Sequence, residues 1–263
     1  MPTPFGYAFI PAVRQYSAGV VAADGYRLTR VQFSSPVPLE EGLRRAAELI
    51  AAAGRPPGAL CACELRTPAP YTEAEFASFN DRYVAALRRL GVVVDEGRNP
   101  VARTNVCPAA GLVRGPSLHA FCFAEPSVTP VADFVVSGSA EVREGLGGYR
   151  DHIVAIGDVT ASGLLDKARF VLAEMARRMA SFGLGDVVPQ VVQVYSVHDV
   201  QAVLAGPVAS RFAPYRGLTW FPARPPVIDL EYEMDCRTVS VERLVITREA
   251  ATAPPHASTR QHV

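Results

Sequence analysis

Residues 228–236 have the sequence Ile-Asp-Leu-Glu-Tyr-Glu-Met-Asp-Cys, in which apolar and acidic side chains alternate. Side chains two residues apart on a β-strand share a face, so this stretch predicts a strand with one apolar and one acidic face. The apolar face is expected to pack on a core. The acidic face, made of Asp229, Glu231, Glu233 and Asp235, is either solvated or covered by a neighbouring unit. A covering surface would raise the pKa of one carboxyl towards the range of a general acid or base.

The elements that precede this strand outline one α+β unit. Residues 134–136 predict a strand, and Leu165 to Met179 have the spacing of a helix that Gly183 ends. Residues 187–195 predict a second strand, after which Ser196 and Asp199 are expected to cap a short helix. Residues 216–221 and 227–236 then predict the closing strands.

The same order of elements occurs earlier in the chain. A helix is predicted from Leu39 to Ile50, a strand over 59–65, and a second helix after the capping box of Thr72 and Glu75. Strands over 102–107 and 118–123 complete this copy. We therefore predict an α+β fold of two tandem units, residues 1–126 and 131–240, each a mixed β-sheet with two helices packed on one face. Residues 250–263 are predicted to be a disordered tail.

The composition limits the kinds of partner. Of the 263 residues, 49% are hydrophobic and 20% are charged, which is enough apolar surface for a large core. Twenty-six basic residues balance 26 acidic ones, so nucleic acid and anionic membrane surfaces are not expected partners. No apolar run approaches the ~18 residues of a membrane span. Five cysteines fit reduced, buried thiols, and a cytoplasmic location is predicted.

The single lysine argues against one class of mechanism. Lys167 follows Asp166 within a predicted helix, where we expect a solvated position. Schiff-base chemistry, including that of pyridoxal phosphate enzymes, requires a lysine in a desolvated pocket. That class is therefore set aside.

Two arginines occupy similar places in the two copies. Arg103 and Arg216 each follow a proline, Pro100 and Pro214, and each opens a predicted strand. An arginine there is able to clamp a carboxylate with two hydrogen bonds. The alternative for each is a surface salt bridge.

Histidine and cysteine side chains give weaker indications. His119 alternates with Phe121 on a predicted strand, which favours a core or interface position and leaves a pocket role open. Cys61 and Cys63 share a strand face, but structural zinc requires four ligands and no second pair has suitable spacing. Buried thiols are the prediction, and no metal is expected.

The second copy resembles the Rid superfamily, whose members are small trimeric enamine/imine deaminases. Residues 134–138, Phe-Val-Val-Ser-Gly, are similar to the family's strand ending in Ser-Gly. Residues 185–188 and 192–195 resemble its passage from helix to strand, Pro214-Tyr215-Arg216 resembles its Pro-x-Arg signature, and Glu231-Tyr232-Glu233 resembles its Glu-x-Glu strand.

The first copy resembles the family less closely. Tyr16-Ser17 is similar to an early Tyr-Ser of the family, and residues 100–106 are similar to its Arg-Ser/Thr-x-Val strand. Residues 117–121, however, contain no Glu-x-Glu. A site built from the first copy alone is therefore not expected to be active.

The resemblance implies a chemistry and a set of site residues. Arg216 would bind a substrate carboxylate, and Glu231 would position water for attack on an imine carbon. Arg103, Ser137, His119 and Glu233 would be substrate-binding residues, and Asp229 and Asp235 are then expected to be solvated. If the two copies made one site together, Arg103 and His119 would face residues of the second copy. The implied assembly is a homotrimer with sites between units, and neither a metal nor an organic cofactor is required.

Among two-unit proteins, the whole chain is similar to the 2-aminomuconate deaminases of aromatic compound degradation. The implied function is hydrolytic deamination of an unsaturated 2-amino (di)carboxylic acid such as 2-aminomuconate, with release of ammonia. The expected partner is thus a small-molecule carboxylate. Two alternatives remain open: a chorismate-acting hydrolase or lyase, and a non-catalytic small-molecule-binding protein of the same fold.

Overall fold

The computed structural model describes residues 1–92, 98–129, 131–143, 145–146, 148–212 and 217–247. Over these residues the chain forms a twelve-stranded sheet and three long helices. The strands are β1 (Tyr7–Val13), β2 (Tyr16–Ala22), β3 (Tyr26–Pro38), β4 (Leu60–Arg66), β5 (Ala102–Pro108), β6 (Ser117–Pro126), β7 (Phe134–Ala140), β8 (Val191–Tyr195), β9 (Gly217–Phe221), β10 (Ala223–Arg224), β11 (Glu233–Thr238) and β12 (Val241–Val245). The helices are α1 (Leu39–Ala52), α2 (Glu73–Arg89) and α3 (Ala161–Ala180).

Local sequence signals explain where the helices begin and end. The Thr72 side chain accepts the Glu75 backbone N–H, and the Glu75 carboxylate accepts the Thr72 backbone N–H, so both orphan donors are satisfied at the start of α2. Thr160 caps α3 in the simpler way, by accepting the Gly163 N–H. Gly91 and Gly183 follow these helices with positive φ, a conformation that favours glycine.

The two copies share one strand order. In the first copy the order is β3-β6-β4-β5, and in the second it is β7-β11-β8-β9. Both runs consist of two antiparallel pairings followed by one parallel pairing. The internal repeat and the α+β class predicted from the sequence are therefore present in the fold.

The copies are joined into one sheet. β2 pairs in parallel with β5 and antiparallel with β7, so it connects the first copy to the second. After β11 the chain returns to the first copy, where β12 pairs in parallel with β3. The helices α1 and α2 pack on the sheet of the first copy, and α3 packs on that of the second. A pocket between the copies can therefore draw side chains from both.

Two sequence predictions about helices need correction. Lys167 was expected at a solvated position, but its side chain is completely buried and forms an ion pair with Glu141. The second helix predicted for the second copy is present but is not a regular α-helix: the short α-helical pieces Gln201–Val203 and Ala209–Phe212 flank a π-helical piece, Leu204–Val208, in which Gly206 departs from helical geometry. Pro207 lies inside this segment, and a proline removes a helical hydrogen bond and clashes with the preceding turn.

The acidic strand also differs from its prediction. It begins at Glu233, because Asp229 has a positive φ of 72° and residues 229–232 lie outside the ladder. Asp235, for which we expected a solvated position, is only 4% exposed. The prediction of a disordered tail at 250–263 falls outside the described residues, as does Arg216.

The five cysteines are all buried free thiols, in agreement with the sequence prediction. Within the part of the chain that the structure describes, none of the helices combines the length and the apolar character that crossing a bilayer takes.

Candidate active site

A pocket lies between the two copies, at the seam of β5, β7 and β11. The first copy supplies Tyr16, Phe76, Arg103 and Asn105, and the second copy supplies Gly138, Ala140, Val142, Tyr149, Pro226, Val227, Leu230 and Glu233. The pocket and its open mouth together hold about 420 Å³ of empty space. Its walls are mainly apolar, with a few polar groups that converge on the interior, as is common for small-molecule sites.

Arg103 is the cation of this pocket, and aromatic rings surround it. Its guanidinium carbon lies 4.7 Å from the ring centroid of Tyr16 and 5.1 Å from that of Tyr83, with Phe76 and Phe79 within 5.8 Å. Its Nη1 donates to Asn80 Oδ1 over 2.8 Å. These contacts hold the charge in one orientation while the side chain is only 4% exposed.

Asn105 lies two residues after Arg103 on β5, so both side chains project from the same face of the strand. Asn105 is 3% exposed, and neither its Nδ2 nor its Oδ1 has a hydrogen-bond partner among the described residues. A buried amide normally satisfies its donors and acceptors. A ligand in the pocket would supply the missing partner. Asn105 was not among the site residues predicted from the sequence, although its two-residue spacing from Arg103 on a predicted strand was a signal for it.

Glu233 brings a carboxylate into the pocket from the second copy. It opens β11, is 4% exposed, and lies against Gly138 of β7. A Cβ atom at position 138 would collide with Glu233 Oε1 and approach Thr104 Cγ2 to 3.2 Å. The absence of a side chain at Gly138 therefore makes room for the carboxylate.

Glu231 takes a different position from Glu233. Its carboxylate accepts a 2.7 Å hydrogen bond from His198 Nε2 and pairs with Arg224, and it does not line the pocket that contains Arg103. The two glutamates of the Glu-x-Glu sequence thus have separate surroundings. The catalytic role predicted for Glu231 is not tested by this geometry, but the carboxylate that lines the pocket together with Arg103 is that of Glu233.

The Glu141 side chain binds the backbone of the two residues that precede Glu233. Its carboxylate accepts the backbone N–H of Glu231 over 2.7 Å and that of Tyr232 over 3.1 Å. Lys167 Nζ lies 3.3 Å from Glu141 Oε1 and also donates to the Val154 carbonyl. Burial raises the pKa of Glu141, and the backbone N–H groups and Lys167 oppose that rise. This buried pair thereby holds residues 231 and 232 outside the strand ladder.

The remaining predicted site residues are placed as follows. Ser137 donates to the Ser17 carbonyl over 2.6 Å and accepts the Arg103 backbone N–H over 3.0 Å, so it joins β7 to β2 and β5. It does not line the pocket itself, whereas its neighbour Gly138 does. His119 lies in a second cavity, where it faces Tyr195 and Phe221 of the second copy. Arg216 is outside the described residues.

Asp235 forms a further link between the copies. Its Oδ2 accepts hydrogen bonds from Thr104 Oγ1 over 2.7 Å and from Tyr195 Oη over 2.9 Å. Burial and the nearby Glu64 raise the pKa of Asp235 to about 6, against the opposing effects of Arg237 and these two hydroxyls. Because Thr104 follows Arg103 directly, this contact helps to hold β5 against β11.

The arrangement suits a planar, anionic substrate and a reaction with water. An arginine surrounded by aromatic rings is able to bind a carboxylate, an unpartnered amide offers further hydrogen bonds, and the Glu233 carboxylate in the same pocket is able to accept a proton. Among the described residues, no group of three or more His, Cys, Asp or Glu side chains is arranged to hold a metal ion.

Two α+β units of one strand order, with an arginine of the first and a glutamate of the second lining a pocket at their junction, define a two-unit α+β protein with a small-molecule pocket between its units. A crystal structure of a chorismatase has the same fold, with a TM-score of 0.51 at 15% identity over 84% of this chain and 77% of that one. The YjgF gene product of E. coli matches 43% of this chain and 91% of its own, at 18% identity and a TM-score of 0.30.

More particularly, the chain belongs to the family described as 2-aminomuconate deaminase CnbZ, whose sequence pattern matches residues 2–243. It is 41% identical over 237 residues to a 2-amino-5-chloromuconate deaminase of Comamonas testosteroni, a match that covers 89% of this chain and 94% of that relative. The family relationship and fold class predicted from the sequence are confirmed.

Proposed function

We propose that this protein is a cofactor-independent hydrolytic deaminase of an unsaturated 2-amino dicarboxylic acid of the 2-aminomuconate type. The observation that carries the proposal is the pocket in which Arg103 and Asn105 of the first copy meet Glu233 of the second. Membership of the 2-aminomuconate deaminase family supports the same substrate class.

Binding is proposed to start with the carboxylate next to the amino group. Arg103 takes this carboxylate, since its guanidinium is oriented by Asn80 and by the aromatic rings before the substrate arrives. The Asn105 amide donates to a polar group of the substrate, which gives this buried amide a hydrogen-bond partner. The conjugated carbon chain lies along the apolar walls, which include Phe76, Val227 and Leu230.

The reaction is proposed to pass through the imine tautomer. A 2-amino-2-enoic acid tautomerises to a 2-imino acid, whose C2 is electrophilic. Glu233 accepts a proton from water while the water oxygen attacks C2, and it returns this proton to the imine nitrogen to give a carbinolamine. The carboxylate then accepts the proton of the carbinolamine hydroxyl and passes it to the amino nitrogen. The C–N bond breaks as the C2–O double bond forms, and ammonia and a 2-oxo acid are the products. One water molecule supplies the new oxygen of the 2-oxo acid and two of the hydrogens of ammonia.

We assign the water-activating role to Glu233 and not to Glu231. Glu231 already accepts hydrogen bonds from His198 and Arg224 at its Oε2, so protein donors occupy this carboxylate oxygen. Glu233 lines the pocket with Arg103 and has the space provided by Gly138. The residue predicted from the sequence is thus replaced in this proposal by its neighbour two positions later.

Ammonia release tests the proposal. Purified protein is incubated with 2-aminomuconate, with a 2-amino-2-enoic acid that has one carboxylate, and with chorismate, and ammonia and organic products are measured. We expect ammonia from the dicarboxylate well above the buffer rate, less from the monocarboxylate, and no conversion of chorismate. Release no faster than buffer would remove the proposed activity, and conversion of chorismate would favour the alternative function.

Assembly into a homotrimer stays a proposal. One chain supplies both the arginine and the carboxylate of the described pocket, so this pocket does not require a second chain for either group. Light scattering with mass analysis measures the assembly directly, and a monomeric mass at working concentration would contradict the trimer.

A further inference from the structure

A second cavity lies between the copies, on a different part of the sheet from the Arg103 pocket. It is bounded by β3, β4, β5 and β6 of the first copy and by β8, β9 and β10 of the second. The cavity and its mouth hold about 1180 Å³ of empty space, which exceeds the volume at the Arg103 pocket. The proposed deamination does not use any residue of this cavity.

Arg66 is the charged group of this cavity. It is 6% exposed, its Nη1 donates to the neighbouring Leu65 carbonyl, and its guanidinium carbon lies 5.8 Å from the Tyr195 ring centroid. Among the described residues, no carboxylate lies within ion-pair distance of Arg66, and none lines the cavity. A buried arginine usually has an anionic partner, so the positive charge here is available to a ligand.

His119 adds a neutral hydrogen-bonding group. Its Nδ1 is buried and has no hydrogen-bond partner among the described residues. Burial and the positive charges of Arg66, Arg30 and Arg237 together lower the pKa of His119 to about 4, against the opposing effect of Glu64. The imidazole is therefore neutral at pH 7 and can donate through one ring nitrogen.

The other walls of the cavity are apolar and partly flat. Tyr195 and Phe221 stack with ring centroids 5.6 Å apart and an interplanar angle of 18°. The rest of the lining is largely proline, alanine, valine and leucine: Pro36, Val106, Pro108, Ala109, Ala110, Leu112, Pro222 and Ala223. The Tyr195 hydroxyl is already engaged with Asp235, which leaves the ring faces and prolines to contact a ligand.

We propose that this cavity is a second ligand site that binds a small planar carboxylate with an apolar body, such as an aromatic monocarboxylate. Arg66 takes the carboxylate, His119 contributes a hydrogen bond, and the ring packs against Phe221 and the prolines. The site is separate from the deaminase pocket, so its ligand and the deamination substrate are different molecules. This inference does not depend on the proposed activity.

Isothermal titration calorimetry with benzoate tests the site in the full-length protein. We expect one binding event in the wild type, with affinity reduced about tenfold or more in Arg66→Gln, because a hydrogen bond to a charged group is lost. Arg103→Gln is expected to retain the wild-type affinity. Loss of binding in Arg103→Gln with retention in Arg66→Gln would place benzoate in the deaminase pocket and overturn the proposal, as would absence of binding to the wild type.

A second pair of variants covers the case in which Arg66→Gln does not fold. Ala110 lies at the exposed mouth of the cavity, so Ala110→Trp fills the entrance without altering the core. We expect this variant to lose most benzoate binding, and Arg114→Gln, a change of an exposed arginine, to bind as the wild type does. Benzamide, which has the ring without the charge, is expected to bind at least tenfold more weakly than benzoate. Equal affinities for the two compounds would exclude Arg66 as the anchor.

Discussion

The two copies have the same strand order but bring different groups to the pocket between them. The first copy supplies the cation, Arg103, with Asn105 beside it, and the second supplies the carboxylate, Glu233. The strand of the first copy that corresponds to β11 is β6, which has no acidic residue between Ser117 and Ala124. A duplicated unit can thus divide a site between its copies, so that each copy keeps only the groups that it contributes.

The largest effect is expected from removing the carboxylate that the second copy contributes. Glu233→Gln should lower the rate of ammonia release by about 10²–10⁴-fold, the range typical of a positioned general base. Substrate affinity should change little, because the cation that binds the substrate remains. Ammonia release gives the rate, and calorimetry with the inactive variant gives the affinity.

Glu231→Gln is the matched control for this prediction, since it changes the other glutamate of the same Glu-x-Glu sequence. We expect a much smaller loss of turnover, because Glu231 is engaged with His198 and Arg224. If Glu231→Gln were inactive and Glu233→Gln active, the assignment of the base to Glu233 would be wrong and the role predicted for Glu231 from the sequence would stand.

A second prediction concerns the hydrogen bonds that hold the copies together at Asp235. The pKa of this buried carboxyl is raised from 3.8 to about 6, so between these values the folded protein keeps a proton that the unfolded chain releases. Asp235 therefore lowers the free energy of unfolding as the pH rises from about 4 to 6. At about 1.4 kcal/mol per pH unit, the loss approaches about 3 kcal/mol.

Asp235→Asn isolates this effect, because asparagine has no titrating proton and its Oδ1 can still accept from Thr104 and Tyr195. Denaturant unfolding of both proteins at several pH values gives the difference in stability. Relative to the wild type, the free energy of unfolding of the variant should increase between pH 4 and 6 and remain constant at higher pH. A difference that does not change with pH would mean that Asp235 does not titrate in this window.

The fold was largely predictable because its signals are local. The capping box at Thr72 and Glu75, the helix-ending glycines and the alternation of apolar residues all depend on neighbours in sequence. Strands β1 to β3 were not predicted. β2, for example, is Tyr-Ser-Ala-Gly-Val-Val-Ala and is buried over its first five residues, so it lacks the alternation of a strand with one solvated face.

The site was less predictable because its details depend on distant residues. Alternation places Glu231 and Glu233 on one face, but Glu141, 90 residues earlier, binds the backbone at Glu231 and Tyr232 and keeps them out of the ladder. The burial of Lys167 has the same origin, since it neutralises Glu141. Neither contact leaves a local pattern in the sequence.

The next effect in size is expected from removing the cation that the first copy contributes. Arg103→Gln should raise KM by about ten- to a hundredfold, since a hydrogen bond to a charged group contributes about 1.5–3 kcal/mol. The turnover number should fall less than in Glu233→Gln. Steady-state kinetics separates the two parameters, with the exposed Arg114→Gln as control and thermal melting as a check on folding. An unchanged KM would exclude Arg103 as the carboxylate clamp.

The smallest effect is expected at the contact where the two contributions meet. Gly138→Ala places a methyl group against Glu233 Oε1 and near Thr104, so the Glu233 side chain has to move while the cation and the carboxylate both remain. We expect a loss of about tenfold in kcat/KM, because a displaced base transfers protons less effectively. Gly115→Ala is the matched control, since a Cβ at position 115 meets no atom within 4 Å. Wild-type kcat/KM in Gly138→Ala, with both alanine variants equally stable, would show that Glu233 tolerates displacement and so does not act as the base from its observed position.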